Sequence, residues 1–158
     1  MKKTLCIVFV AVMLLGLTAC NRSFATPQPV DSSNETNPLL SYSIYIPNDN
    51  VDGFHTETIN TEEISAETVL TELKKQNVLP DAVSINSFLI DNDLITIDFN
   101  QAFADAVCSM GTSGEFAIVG SVVNTFLDAF QAESVYFTVD GQILESGHET
   151  YDDSMTFF

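Results

Sequence analysis

Apolar residues recur at helical spacing through residues 116–130. Val119, Val123, Phe126, Leu127 and Phe130 share one wide face, and Ile118, Val122 and Ala129 form a narrower second stripe. Beyond Glu115 and Asp128 this predicted helix carries no charge, so it must be covered on more than one side. Thr112 and Glu115 stand three apart at its start, the spacing of a capping box. Directly after it, Val135, Phe137 and Val139 alternate with Tyr136 and Thr138, which is a strand pattern. Asp140-Gly141 then supplies the residues that a tight turn needs at positive φ. A buried helix feeding a sheet strand is the expected centre of the fold.

The remaining pattern places other elements around that pair. Tyr42, Ile44 and Ile46 alternate with Ser43 and Tyr45 in a strand stopped by Pro47. A turn-rich loop follows at residues 48–53, and residues 54–60 read as a weak second strand. Ser65 is positioned to cap a helix whose buried face is Val69, Leu70 and Leu73, with Ile64 stapling onto Val69. Lys74 and Lys75 sit where the helix dipole favours cations. Asn77 suits the left-handed closing position, Val78 packs back on Leu73, and Pro80 ends the helix. Strands at 84–90 and 94–99 flank an Asp91-Asn92-Asp93 turn. In the second of them Ile95, Ile97 and Phe99 face one way, Thr96 and Asp98 the other. With a last short strand around Ile143, the order is β-α-β-β-α-β. That order predicts an α+β domain: a two-layer sandwich, with a small mixed sheet carrying two helices on one face. Residues 147–158 form an acidic tail ending in Phe157-Phe158, either a loose terminus or a last strand docked on the sheet.

The N-terminus has another logic. Lys2 and Lys3 precede an uncharged apolar run at residues 5–17, which is shorter than the roughly 18 residues of a spanning helix. Leu17-Thr18-Ala19-Cys20 resembles a bacterial lipobox, so residues 1–19 are expected to be a lipoprotein signal peptide and Cys20 the lipidated residue. Residues 20–40 hold Pro27, Pro29 and Pro38 among Ser, Thr, Asn and Gln, a flexible-tether composition. Twenty such residues reach roughly 25 Å, enough to lift a domain clear of the headgroups. The expected location is extracytoplasmic, lipid-anchored to the outer face of the membrane. Residues 41–146 are the expected folded domain.

Charge narrows the partners. The 158-residue chain has a formal charge of −17, and residues 1–19 contain lysines but no acid, so the processed chain is more acidic still. Such a surface repels phosphates, which excludes nucleic acid and favours cations or basic protein surfaces. Of Cys6, Cys20 and Cys108, the first leaves with the signal and the second takes lipid. Cys108 is then alone, and the domain has no internal disulfide.

Candidate chemistry is sparse. Cys108 as a nucleophile needs a base, and the only histidines are His55 and His148, both expected at the surface. A half-buried structural thiol is the expected role. The 48–53 loop, tried as an EF-hand, puts Ile59 where the bidentate Glu must stand, so no metal is expected. Asp91, Asp93 and Asp98 could be paired carboxylates of a hydrolase, but two belong to a turn and the third faces outward. Residues 111–114 could cradle a phosphate at a helix N-terminus but lack a lysine, so a capped helix is expected. No enzyme activity and no cofactor are predicted.

Three stretches resemble the GerMN domain of bacterial sporulation and spore-germination proteins. They are Tyr45-Ile46-Pro47, then Ile97-Asp98-Phe99-Asn100-Gln101-Ala102-Phe103, and then residues 111–141 with Val123-Asn124-Thr125-Phe126 and Val139-Asp140-Gly141. The resemblance spans about residues 41–146 and implies a fold similar to the ring-building motifs of secretion systems. It also implies an extracytoplasmic, non-catalytic module, often on lipoproteins, that serves envelope-complex assembly through a protein partner or self-association. The alternative is a surface module binding cations, basic peptides or wall fragments.

Overall fold

The computed structural model describes residues 39–158. The signal peptide, Cys20 and nearly all of the tether lie outside the described residues. Ten elements follow in order: β1 (Leu40–Pro47), β2 (Phe54–Thr61), α1 (Ala66–Lys75), β3 (Ile85–Asp91), β4 (Leu94–Phe99), α2 (Gln101–Cys108), α3 (Thr112–Phe130), β5 (Ser134–Val139), β6 (Leu144–Glu145) and β7 (Thr150–Tyr151). The class is α+β, as expected.

The sheet that carries the core is β3-β4-β5, mixed in sense. β3 pairs antiparallel to β4, and β5 runs parallel to β4. Alternation decides its faces: Ile95, Ile97, Phe99, Val135, Phe137 and Val139 are buried, while Thr96, Asp98, Tyr136 and Thr138 lie half-buried on the other side. A parallel neighbour requires a crossover, here α2 followed by α3. Phe99 and Phe103 stack at 4.3 Å between ring centroids, and Phe103 meets Phe137 edge-on at 5.3 Å, fastening α2 to the sheet.

α1 forms as its sequence dictates. Ser65 and Thr68 close a reciprocal cap at its start. Asn77, at φ 59°, ends it in the left-handed conformation, and the Val78 amide returns to the Leu73 carbonyl at 2.9 Å.

The layering departs from expectation in two ways. A third helix, α2, occupies what read as a connection, and β1 is not in the core sheet but forms a separate antiparallel hairpin with β2. That hairpin lies along α3, which also touches α1, α2 and β5. Helix α3 is therefore enclosed, and even Ser121, Asn124 and Thr125 are buried on it. Its polar residues receive the free edge of β1: the Tyr45 amide donates to Thr125 Oγ1 at 3.0 Å and the Ser43 amide to Asp128 Oδ1. Gly120 permits a close approach, because a Cβ there would stand 2.5 Å from Cζ of Phe54 and the ring would have to shift.

The C-terminal segment is docked. Met155 and Val135 exchange two backbone hydrogen bonds at 2.7 and 2.8 Å, and the Phe158 amide donates to Asn124 Oδ1 at 2.9 Å. The tail is docked rather than loose, but by a single bridge of Met155 to β5, while its two-residue strand β7 pairs with β6 and not with the core sheet.

Candidate functional site

The residues proposed for chemistry from sequence do not converge. The 48–53 loop closes on itself: the Asn48 amide nitrogen donates to Asp52 at 2.9 Å, and the Asn48 backbone amide donates to the Gly53 carbonyl at 3.0 Å. It is the surface loop that was expected. His55 and His148 are exposed, on β2 and ahead of β7 respectively.

Cys108 requires a correction. It is exposed rather than half-buried, because α2 turns Phe103 and Val107 inward and leaves the next position outside. Residual burial, followed by the charges of Glu115 and Asp105, pushes its thiol upward. That opposes thiolate formation and with it nucleophilic reactivity.

Asp98 is the best-connected carboxylate in the sheet. One oxygen accepts from the Thr138 hydroxyl at 2.6 Å and the Gly141 amide at 2.7 Å, and the other from the Asn86 amide at 3.0 Å. Asn86 also donates to the Phe99 carbonyl and to Asp140. Desolvation works to raise the Asp98 pKa, but the three hydrogen bonds outweigh it and the net shift is downward. The group fixes the turn after β5, where Asp140 and Gly141 take φ of 47° and 74°. Asp91 and Asp93 sit exposed at the β3–β4 turn.

The start of α3 is where sequence reasoning missed most. The expected Thr112–Glu115 capping box is absent: Gly111 is the N-cap and no side chain bonds it. Glu115 turns inward instead and is only 2% exposed. Its Oε1 accepts from the Ser146 hydroxyl and, at 2.7 Å, from the Tyr151 hydroxyl. Burial, and then this bond to Glu115, push the Tyr151 hydroxyl well up, so it remains a donor. Glu115 Oε2 has no hydrogen-bond partner among the described residues. Glu115 is also one of the residues lining a cavity of about 400 Å³, walled by Phe116, Met155 and Phe158 and rimmed by Glu149, Asp152 and Asp153, although Oε2 itself is shielded from solvent. The pairing joins residues 31 and 36 positions apart, beyond any local signal.

Comparison with known proteins locates the fold. A family model described as "Germane: Sporulation and spore germination" matches residues 43–145, from β1 into β6. The chain belongs to this family. Its fold is similar to the tandem GerMN domains of the sporulation protein GerM from Bacillus subtilis, with TM-score 0.55 and 16% identity over 82% of this chain and 50% of that one. The chain thus spans half of the tandem protein's length. The first GerMN domain of the same protein gives TM-score 0.53 at 17% identity, covering 74% of this chain and 97% of that domain. A candidate lipoprotein from Clostridium perfringens gives 0.49 at 18%, covering 78% and 91%. No curated protein sequence matches the chain. Within the Germane domain, the three stretches that carried the resemblance fall on β1, on the β4–α2 junction, and on α3 with β5.

Proposed function

We propose that this chain is a lipoprotein, acylated at Cys20 and tethered by residues 20–40 to the outer face of the membrane. Its Germane domain makes non-catalytic protein contacts in an envelope complex of sporulation or germination, through a partner or a second copy. The observation that carries this reading is the family match over residues 43–145, which takes in the whole core sheet and all three helices. The engagement of Asp98 in a turn and the upward shift of the Cys108 thiol support a non-catalytic role. The N-terminal sequence supports the anchor, since two or three acyl chains hold firmly where one binds marginally.

Metabolic labelling with an alkyne fatty acid, followed by crosslinking in sporulating cells, tests both halves. The wild-type chain is expected to take label, to sediment with membranes and to crosslink to a discrete partner or to itself. Cys20→Ser is expected to take none. Label on Cys20→Ser overturns the anchor, and a strictly monomeric, partnerless wild type overturns the assembly role.

A further inference from the structure

The core sheet leaves one edge open. Its order is β3-β4-β5, so β3 has a strand on one side only. Neighbouring bonds fix which of its groups face outward. The Asn100 amide donates to the Ser84 carbonyl, while the Phe99 carbonyl accepts from the Asp140 amide. Even-numbered residues of β4 therefore face β3 and odd-numbered ones face β5. Ser87, Leu89 and Asp91 pair with Asp98, Thr96 and Leu94, which directs the amides and carbonyls of Asn86, Phe88 and Ile90 away from the sheet. The chain blunts its other edges. On β5 the Val135 and Val139 amides donate to the Met155 and Gln142 carbonyls, β1 is closed by Thr125 and Asp128, and β2 carries the exposed Glu57. β3 has no such device: residues 82–90 hold no charge and no proline, and Leu89 and Ile90 are 62% and 40% exposed.

We propose that β3 is the seam of a homodimer, in which two copies pair antiparallel along this edge about a two-fold axis at Leu89. Outward amides and carbonyls in alternation are met by an extended backbone, so the occupant is a strand. Charge selects a second copy. The chain stands at −17, and copies that repel one another elsewhere can meet along a stretch without carboxylates, whereas a basic partner would find its charge unanswered between Asp81 and Asp91. The strand is also its own complement. With the axis at Leu89, Phe88 lies opposite Ile90 of the second copy and Ile90 opposite its Phe88, two pairs bonded through the outward groups, and Leu89 meets Leu89. Moving the axis to Phe88 would set Ile90 against Asn86 and Leu89 against Ser87, so side-chain matching fixes the register. Phe88 already packs on Phe126 and Phe130, and the seam extends that apolar layer across the axis. Such a contact is isologous and closes at two copies. The inference rests on the reading of the domain as a module for protein contacts, and names the surface and its occupant.

The test uses the full-length chain in detergent, with mass by light scattering and amide hydrogen exchange by NMR over a wide range of chain concentration. Two chains per particle are expected, with exchange at Asn86, Phe88 and Ile90 slowing as concentration rises. Leu89→Glu and, separately, Leu89→Lys set like charges across the axis, and each is expected to lose that protection. An equal mixture of the two is expected to regain it, since Glu then faces Lys. Leu89 is largely exposed, and an unchanged urea midpoint checks that each variant is folded. A wild type monomeric at every concentration, exchange at the three amides indifferent to concentration, or a mixture no better than its components overturns the proposal. Protection that arises only when another protein is added puts a foreign strand on the edge and overturns the second copy as its occupant. A monomeric wild type that still crosslinks to a discrete protein in sporulating cells overturns this pairing alone and leaves the proposed function standing.

Discussion

Asp98 shows how one side chain sets a local geometry and a pH response together. Its three bonds tie β3, β4 and the turn after β5 at one point. Asp98→Asn would keep one oxygen for Thr138 and Gly141 but turn an NH₂ toward the NH₂ of Asn86, a donor facing a donor. The expected loss is about 1–3 kcal/mol near neutral pH, since a hydrogen bond to a charged group is replaced by a repulsive contact. The sign of the pH dependence follows from the lowered pKa. A carboxylate held below its ordinary value contributes stability above the unfolded-state pKa and loses it as pH falls through the folded one. The gap between variant and wild type in urea unfolding is therefore expected to be widest near pH 7 and to narrow in acid. A gap that stays constant would mean that Asp98 acts through shape rather than charge.

Across elements, the contact that most determines the architecture is that of α3 with the edge of β1. A strand edge presents unpaired amides, and here Thr125 and Asp128 accept two of them, closing that edge against the helix. Thr125→Val keeps the volume and removes the acceptor, leaving the Tyr45 amide unmet. An expected cost of about 1–3 kcal/mol follows, with Thr125→Ser close to wild type. Hydrogen exchange at the Tyr45 amide is expected to quicken in the valine variant; unchanged exchange would place the bond's importance elsewhere. This contact also marks the limit of what the chain disclosed beforehand. The near-absence of charge from residues 116–130 announced an enclosed helix, and the alternation of β4 and β5 announced their faces. Nothing local said that the polar Asn124, Thr125 and Asp128 would receive β1 and the C-terminus. α2 was illegible because eight residues give little periodicity, and its N-cap Asn100 spends its side chain on Ala82 and Ser84 instead. β2 was faint because most of its residues are exposed and leave no alternation to read. At the candidate site, the spacing of Thr112 and Glu115 fitted a cap, and only the fold brought Ser146 and Tyr151 within reach of the carboxylate.

At the scale of the molecule, charge opposes what the core achieves. The chain carries 22 acidic residues against 5 basic, and among the described residues a single salt bridge, Lys75–Glu72, relieves any of it. Asp91 with Asp93, Glu62 with Glu63, and Asp152 with Asp153 stand close in sequence at exposed positions. Such repulsion is long-ranged in dilute buffer and is screened once the Debye length falls from roughly 30 Å at 0.01 M salt to a few Å near 1 M. Stability is therefore expected to rise with sodium chloride over that range, with the steepest gain at the low end where screening changes most. A salt that stabilises by exclusion from the surface would instead act mainly at high concentration, so the shape of the curve separates the two causes. Mild acid should mimic the early gain by neutralising exposed carboxylates, until Asp98 gives up its three bonds and the curve turns down. A melting temperature indifferent to salt below about 0.2 M would show that the acidic surface is already compensated and that its self-repulsion costs the fold little.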